Sequence, residues 1–295
     1  MSLFDQAIAR ALPAVPKPVV QLFSQRYIAG STLRDAVRVV RRLNGEGKLA
    51  TIDVLGEEIT HEREARAIAR AYLDVFAAIE RDRLDANVSV KLTALGLDLD
   101  YELCKENLLS VVSQGKFVRI DMEDSSTTDE TLRLYRELRD DGHDNVGVVL
   151  QAYLRRTLDD VESLADLRPN VRLCKGIYVE PPSLAFTDYE AVRANYVRAL
   201  RALAATASHV AIATHDEWLI EQALRSLPPS YEFQMLLGVR EERATELVRD
   251  GHTLRVYVPF GEHWYQYSLR RLQENPAMAG TIARSTVGRL LRITR

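Results

Sequence analysis

The 295 residues are enough for two small domains or one large α/β barrel. With 46% hydrophobic and 27% charged residues and a net charge of −3, the composition excludes a disordered or collagen-like chain and gives no basis for a nucleic-acid partner. The two cysteines, Cys104 and Cys174, exclude a disulfide scaffold or a cysteine-rich zinc site and point to a reducing, cytoplasmic setting.

The first 48 residues carry eight Lys/Arg against three Asp/Glu. They read as a helical N-terminal arm, broken early by Pro13, Pro16 and Pro18, with its best helix over 31–43. No charged start followed by an apolar core and a cleavage site is seen, so no signal peptide is expected. Nor does any apolar run approach the roughly 20 residues of a membrane helix.

From residue 50 onward, Val- and Ile-rich runs recur. They span 50–56, 87–95, 117–124, 146–153, 171–178, 210–216, 231–238 and 254–261. Their spacing fits a strand plus a returning helix. The intervening segments, such as 58–83, have apolar residues at three- and four-residue steps. Thr127–Glu130 and Thr187–Glu190 have capping-box spacing at two helix starts. Runs this apolar suit parallel strands covered on both faces. The expected fold is a (βα)8 barrel over 49–295, including a C-terminal helix, with an open doubly wound sheet as the alternative.

Polar groups gather late in the runs: Asp53 with Glu57, Lys91, Asp121 with Glu123 and Asp124, Gln151, Arg172 with Lys175, Thr214-His215-Asp216, Gln234 and Tyr257. In a closed barrel they meet at one mouth. An unpaired buried charge is costly, so the set reads as site residues or as mutual ion pairs. The stretch 45–50 (GEGKLA) fits a dinucleotide fingerprint by letters only, because it precedes a strand and follows a helix. No G-x-S-x-G supports a nucleophile elbow, and the histidines lack metal spacing. In 262–275, Arg270 and Arg271 are adjacent, Glu274 lies one turn on, and Tyr267 precedes on nearly the same face. This is either a solvated salt bridge or a bidentate carboxylate clamp beside an aromatic wall, suited to a small ringed amino or imino acid.

Together, DVLGEE (53–58), SVKLTAL (89–95), IDMED (120–124), LQAYLRR (150–156), RLCKGIY (172–178), ATHD (213–216), YEFQMLLG (231–238), VYVPFG (256–261) and YSLRRLQEN (267–275) resemble the proline dehydrogenase family in its single-function form. The resemblance covers roughly residues 50–275 and rests chiefly on R-L-x-K-G-x-Y and Y-x-x-R-R-L-x-E-N. It implies FAD held without a G-x-G-x-x-G turn. L-proline would be oxidised to Δ1-pyrroline-5-carboxylate by hydride passage from C5 to flavin N5, with a membrane quinone as acceptor and transient contact with a pyrroline-5-carboxylate dehydrogenase.

The resemblance also implies residue roles. Arg172 would act near flavin N5, and Asp121 would orient Tyr257 and the arginines. Met122, Gln151, Lys175, Gly176, Ile177, Thr214, His215 and Gln234 would hold the cofactor. Arg270 and Arg271 would clamp the carboxylate, supported by Lys91; Glu57 would pair with the first arginine and help close the site, Glu274 would belong to the substrate site, and Tyr178, Leu236, Tyr257 and Tyr267 would wall the ring. Cys174 and Ile177 depart from the usual aliphatic and small residues. Hydroxyproline oxidation, a Schiff-base aldolase on Lys91 or Lys175, and a non-catalytic amino-acid-binding barrel are the alternatives. The basic, apolar-interleaved tail 280–295 is read as either a packed helix or a peripheral contact with the inner face of the membrane.

Overall fold

The computed structural model describes residues 26–56, 59–264 and 268. Helix α1 (Leu33–Gly45) leads into eight strands: β1 (Leu49–Val54), β2 (Ala86–Val90), β3 (Val118–Ile120), β4 (Val146–Gln151), β5 (Asn170–Cys174), β6 (His209–Ala213), β7 (Tyr231–Leu236) and β8 (Leu254–Phe260). Between them lie α2 (Glu62–Arg81), α3 (Tyr101–Val112), α4 (Thr128–Asp140), α5 (Thr157–Ser163), α6 (Tyr189–Thr206), α7 (Glu217–Leu224) and α8 (Glu241–Arg249). All strand pairs are parallel, and β8 closes on β1. The fold is a (βα)8 barrel, so the open-sheet alternative does not hold.

Side-chain alternation explains how the strands serve two environments. Ile52, Val88, Val90, Val118, Ile120, Val146, Val148, Val171, Leu173, Val210, Ile212 and Phe233 are buried in one continuous apolar core with the helices. The residues between them face the barrel axis and are unusually polar. In register around the barrel, Asp53 pairs with Ser89, Ser89 with Arg119, Arg119 with Gly147, and Gln234 with Arg255. Helix α1 contributes Ala36, Val37, Val40 and Leu43 to the apolar layer.

Two helix starts differ from expectation. The cap of α6 is Asp188, whose carboxylate accepts from the Ala191 amide at 2.8 Å, rather than Thr187. Thr127 precedes α4 in a helical conformation and makes no side-chain cap; its hydroxyl turns back to the Asp124 carbonyl at 3.2 Å. The reciprocal box forms instead at Thr32 and Asp35. Spacing alone does not distinguish a cap that faces its amide from a hydroxyl already claimed by a preceding loop.

Candidate active site

Strand ends on the C-terminal side carry the site, as barrel geometry requires. Asp121, one residue beyond β3, is its hub. One carboxylate oxygen accepts from Ser89 Oγ at 2.5 Å and Arg172 Nη1 at 2.6 Å; the other accepts from the Tyr257 hydroxyl at 2.8 Å and lies 3.7 Å from Lys91 Nζ. Lys91 itself donates to Asp53 at 2.8 Å and to Tyr257 at 3.2 Å. Asp53 is fully buried, and Tyr72 from α2 donates to both it and the Ser89 carbonyl. Arg172 donates through Nε to Gln234 at 2.5 Å, and Gln234 in turn donates to Glu232.

The network therefore alternates cation and carboxylate: Arg172, Asp121, Lys91, Asp53. Burial opposes ionisation of Asp121, but Arg172 and Lys91 outweigh it and hold its carboxyl below the usual range. Burial likewise works against the Lys91 charge, yet Asp53 and Asp121 hold the ammonium above the ordinary lysine range. Burial raises Glu123; its carboxylate accepts from the Thr93 amide and hydroxyl. Gln151 donates to the Glu123 carbonyl at 2.7 Å.

A second cluster borders the first. Asp216 accepts from Arg193 at 2.7 and 3.0 Å, from Tyr189 at 2.6 Å, and from Lys175 at 3.4 Å. The Arg193 guanidinium stacks over the Tyr189 and Trp218 rings. Burial raises Asp216, but the Arg193 and Tyr189 hydrogen bonds and the Lys175 charge overcome it and depress its carboxyl. Thr214 accepts from the Asp216 amide, and His215 Nε2 accepts from the Leu236 amide at 3.0 Å. Met122 is buried; Tyr178 is half-buried on Tyr153 and Leu154, and Ile177 is exposed. Glu57, Tyr267, Arg270, Arg271 and Glu274 lie outside the described residues, as does the 280–295 tail.

Acid should expose the value of these pairings. Asp121 and Asp216 both have depressed folded-state pKa values. Each contributes stability above the unfolded carboxyl value of about 3.9, and that stability is lost as pH falls through the lower folded value. Glu123, raised by burial, acts in the opposite direction. The urea midpoint is therefore expected to show no loss from these three groups between pH 7 and 5 and to fall steeply below about pH 4. A decline already under way at pH 6 would contradict these assignments.

Several participants escaped the strand-end reading. Ser89 and Glu232 sit two residues before Lys91 and Gln234, so strand periodicity signals their shared inward face. Tyr72, Tyr189 and Arg193 come from helices, and no local pattern marks them.

A charged, buried constellation at the C-terminal rim of a (βα)8 barrel defines a barrel enzyme with its site among the βα loops. The chain belongs to the proline dehydrogenase family, whose model matches residues 36–284. Proline dehydrogenase 1 of Bacillus subtilis subsp. natto is 39% identical over 272 residues, covering 89% of this chain and 90% of that protein. Proline dehydrogenase of Deinococcus radiodurans is 34% identical over 273 residues, covering 88% of each. Among solved structures, proline utilization A (PutA) from Bdellovibrio bacteriovorus inactivated by N-propargylglycine superposes with a TM-score of 0.77 at 27% identity. That match covers 85% of this chain and 32% of the PutA chain.

Donors at the mouth are left for a bound cofactor. Gly176 has φ +100°, and a Cβ there would overlap the Tyr153 ring, so only glycine lets the segment after β5 lie this close to Tyr153. Arg172 leaves Nη2 without a partner among the described residues, and Lys175 is only loosely paired. Gln151, Arg172, Lys175 and Thr214 lie on or just after the neighbouring strands β4, β5 and β6.

Proposed function

We propose that the chain is an FAD-dependent dehydrogenase that oxidises L-proline to Δ1-pyrroline-5-carboxylate and delivers electrons to a quinone. Family membership together with the Arg172–Asp121–Lys91–Tyr257 network carries this reading. Bound FAD supplies the two-electron acceptor for C5 of proline. Arg172 would hold the cofactor with its positive charge, and Asp121 and Gln234 keep that guanidinium oriented. Gln151, Lys175, Gly176, Ile177, Thr214, His215 and Met122 are the proposed cofactor contacts.

On the substrate side, Arg270 and Arg271 are the proposed carboxylate clamp. Tyr178, Leu236, Tyr257 and Tyr267 wall the ring, and Glu57 and Glu274 close the site. Tyr257 is fixed by its bond to Asp121. Lys91 contributes positive potential while remaining bound to Asp53. Its stabilised ammonium also argues against a Schiff-base aldolase, which needs a neutral amine. The product is proposed to pass to a pyrroline-5-carboxylate dehydrogenase. No helix among the described residues is long and apolar enough to cross a membrane, and electron delivery is proposed at a peripheral contact.

The test is an absorbance spectrum of the purified protein before and after anaerobic proline. A flavin spectrum that bleaches with proline is expected; a colourless protein or an unbleached flavin overturns the reading. Arg270→Lys and Arg271→Lys are expected to keep the flavin and raise the proline KM about tenfold or more, because one bidentate fork is lost. Unchanged kinetics in both would remove the clamp assignment.

A further inference from the structure

The opposite end of the barrel holds a feature that the dehydrogenase site meets only at Glu232. Below the mouth, a cavity of about 470 Å³ opens among Asp85, Asn87, Arg119, His209, Glu232 and Arg255. Arg119 is the anomaly within it. The residue is 2% exposed, yet no carboxylate lies within ion-pair distance of it among the described residues. Its Nη atoms donate to the carbonyls of Val148 and Asn170 and to the Asn170 side chain at 2.5–3.0 Å. Its Nε is buried with no hydrogen-bond partner among the described residues.

The sequence makes deliberate room for this group. Gly147 stands beside Arg119 in the register, and a Cβ there would lie 2.5 Å from the guanidinium and 2.8 Å from the Phe117 ring. The ring itself sits 5.0 Å from the guanidinium carbon, which offers only partial compensation. Along the barrel axis, Lys91 pairs with Asp53, Arg172 with Asp121 and Arg255 with Glu232. Among the described residues one cation on the axis, Arg119, is left over.

Neighbouring charge does not cure the excess. Burial first, then the Arg172 charge, push the Arg119 guanidinium down to about 9, against some support from Glu232. Glu232 is committed to Arg255 at 2.8 Å, and Asp85 is an exposed rim residue. Burial also lowers His209, so its ring adds no fixed positive charge. Donors remain on the other side. Asn87 has its carbonyl oxygen taken by the Thr51 hydroxyl, which turns its amide NH₂ to bonding elsewhere.

We propose that this floor cavity is a binding site for a small oxyanion, a carboxylate or an inorganic phosphate, with Arg119 as its charge partner. An oxyanion accepts from guanidinium and amide donors together and neutralises a cation that the protein otherwise buries alone. The site lies on the N-terminal side of the strands, away from the reacting groups, where barrel residues support stability. The bound anion is a structural ligand of the barrel floor, and its effect is read in stability.

Thermal unfolding of the purified full chain, with whatever cofactor it retains, is followed during separate titrations with sodium phosphate and sodium acetate. Arg119→Met and the surface control Arg38→Met are titrated alongside. The expected result is a saturable rise in Tm of about 2–4 °C in at least one arm, shared by the wild type and Arg38→Met and lost in Arg119→Met. The responding arm tells tetrahedral oxyanion from carboxylate. Parallel shifts in all three proteins are a general salt effect and overturn the proposal, as does no saturable shift in the wild type. Should Arg119→Met fail to fold, wild-type crystals soaked separately in selenate and in acetate decide. Density for either anion against Arg119 supports the site, and a cavity empty in both soaks overturns it.

Discussion

Asp121→Ala is expected to be the most damaging single substitution in the barrel interior. The carboxylate accepts from Ser89, Arg172 and Tyr257 and neutralises Lys91 from 3.7 Å. Its removal leaves Arg172 and Lys91 with a single carboxylate, Asp53, still paired to the lysine. Breaking a buried ion pair by deleting one partner costs about 3–5 kcal/mol, because the surviving charge is uncompensated. Activity should fall further than stability alone explains. Arg172 loses the group that aims its guanidinium, and Tyr257 loses the acceptor that fixes its hydroxyl. Misplacement of about 1 Å at such a site can cost about 10²-fold in rate.

Two measurements separate these effects. Urea unfolding should show the lost stability, and kcat/KM for proline, at a temperature where the variant is folded, should show the lost positioning. Asp121→Asn is the informative companion. It retains shape and one acceptor but removes the charge, so it should recover part of the stability while kcat/KM stays low. Near-normal kcat/KM in Asp121→Asn would mean that the carboxylate acts only as a scaffold.

The strands were legible because apolar residues recur at barrel spacing; each of the eight runs overlaps one strand, and β1, β2, β5 and β6 begin one residue earlier than their runs. Their ends were less legible. The run 117–124 yields only three strand residues, and the chain beyond Ile120 carries Asp121 and Glu123 to the site. The run 87–95 likewise releases its chain at Lys91. At both places polar residues that must converge on the mouth end the regular pairing, and propensity cannot anticipate that competition. Strand-end polarity pointed to Lys91, Asp121, Arg172 and Tyr257, which the structure brings into one network. It could not show which cation pairs with which carboxylate, because these contacts cross the barrel between residues far apart in sequence. The partners of Asp216 were illegible for the same reason: Tyr189 and Arg193 sit on an ordinary helix face, and only the packing of α6 over β6 turns them inward. The floor arginine was invisible in a different way. Arg119 and Gly147 each look like interruptions of an apolar strand, and only their register shows that one accommodates the other.

Gly176→Ala should impair the cofactor cradle with the reacting residues left intact. The segment after β5 is zipped to the β4 loop by bonds from the Ala152 amide to the Cys174 carbonyl at 2.8 Å and from the Tyr153 amide to the Lys175 carbonyl at 2.7 Å. Tyr153 is held in turn by the Phe186 amide bond to its carbonyl, at 2.7 Å. Gly176 must therefore cross Tyr153 at a fixed height, with φ at +100°. An alanine meets two obstacles: a backbone conformation that L residues rarely adopt, and the ring itself. Strain of this kind costs about 1–3 kcal/mol. The easiest relief is displacement of residues 175–177, which carry the proposed flavin contacts. The expected outcome is a protein that folds with a lowered Tm but emerges from gel filtration with a much reduced flavin-to-protein absorbance ratio. Added FAD should restore activity only at high concentration. Tyr153→Leu combined with Gly176→Ala distinguishes the two obstacles. Substantial recovery of flavin would assign the damage to the ring, whereas none would assign it to the backbone angle. A Gly176→Ala protein with full flavin content and unchanged Tm would mean that the segment has slack the present geometry denies, and the cradle assignment would fall with it.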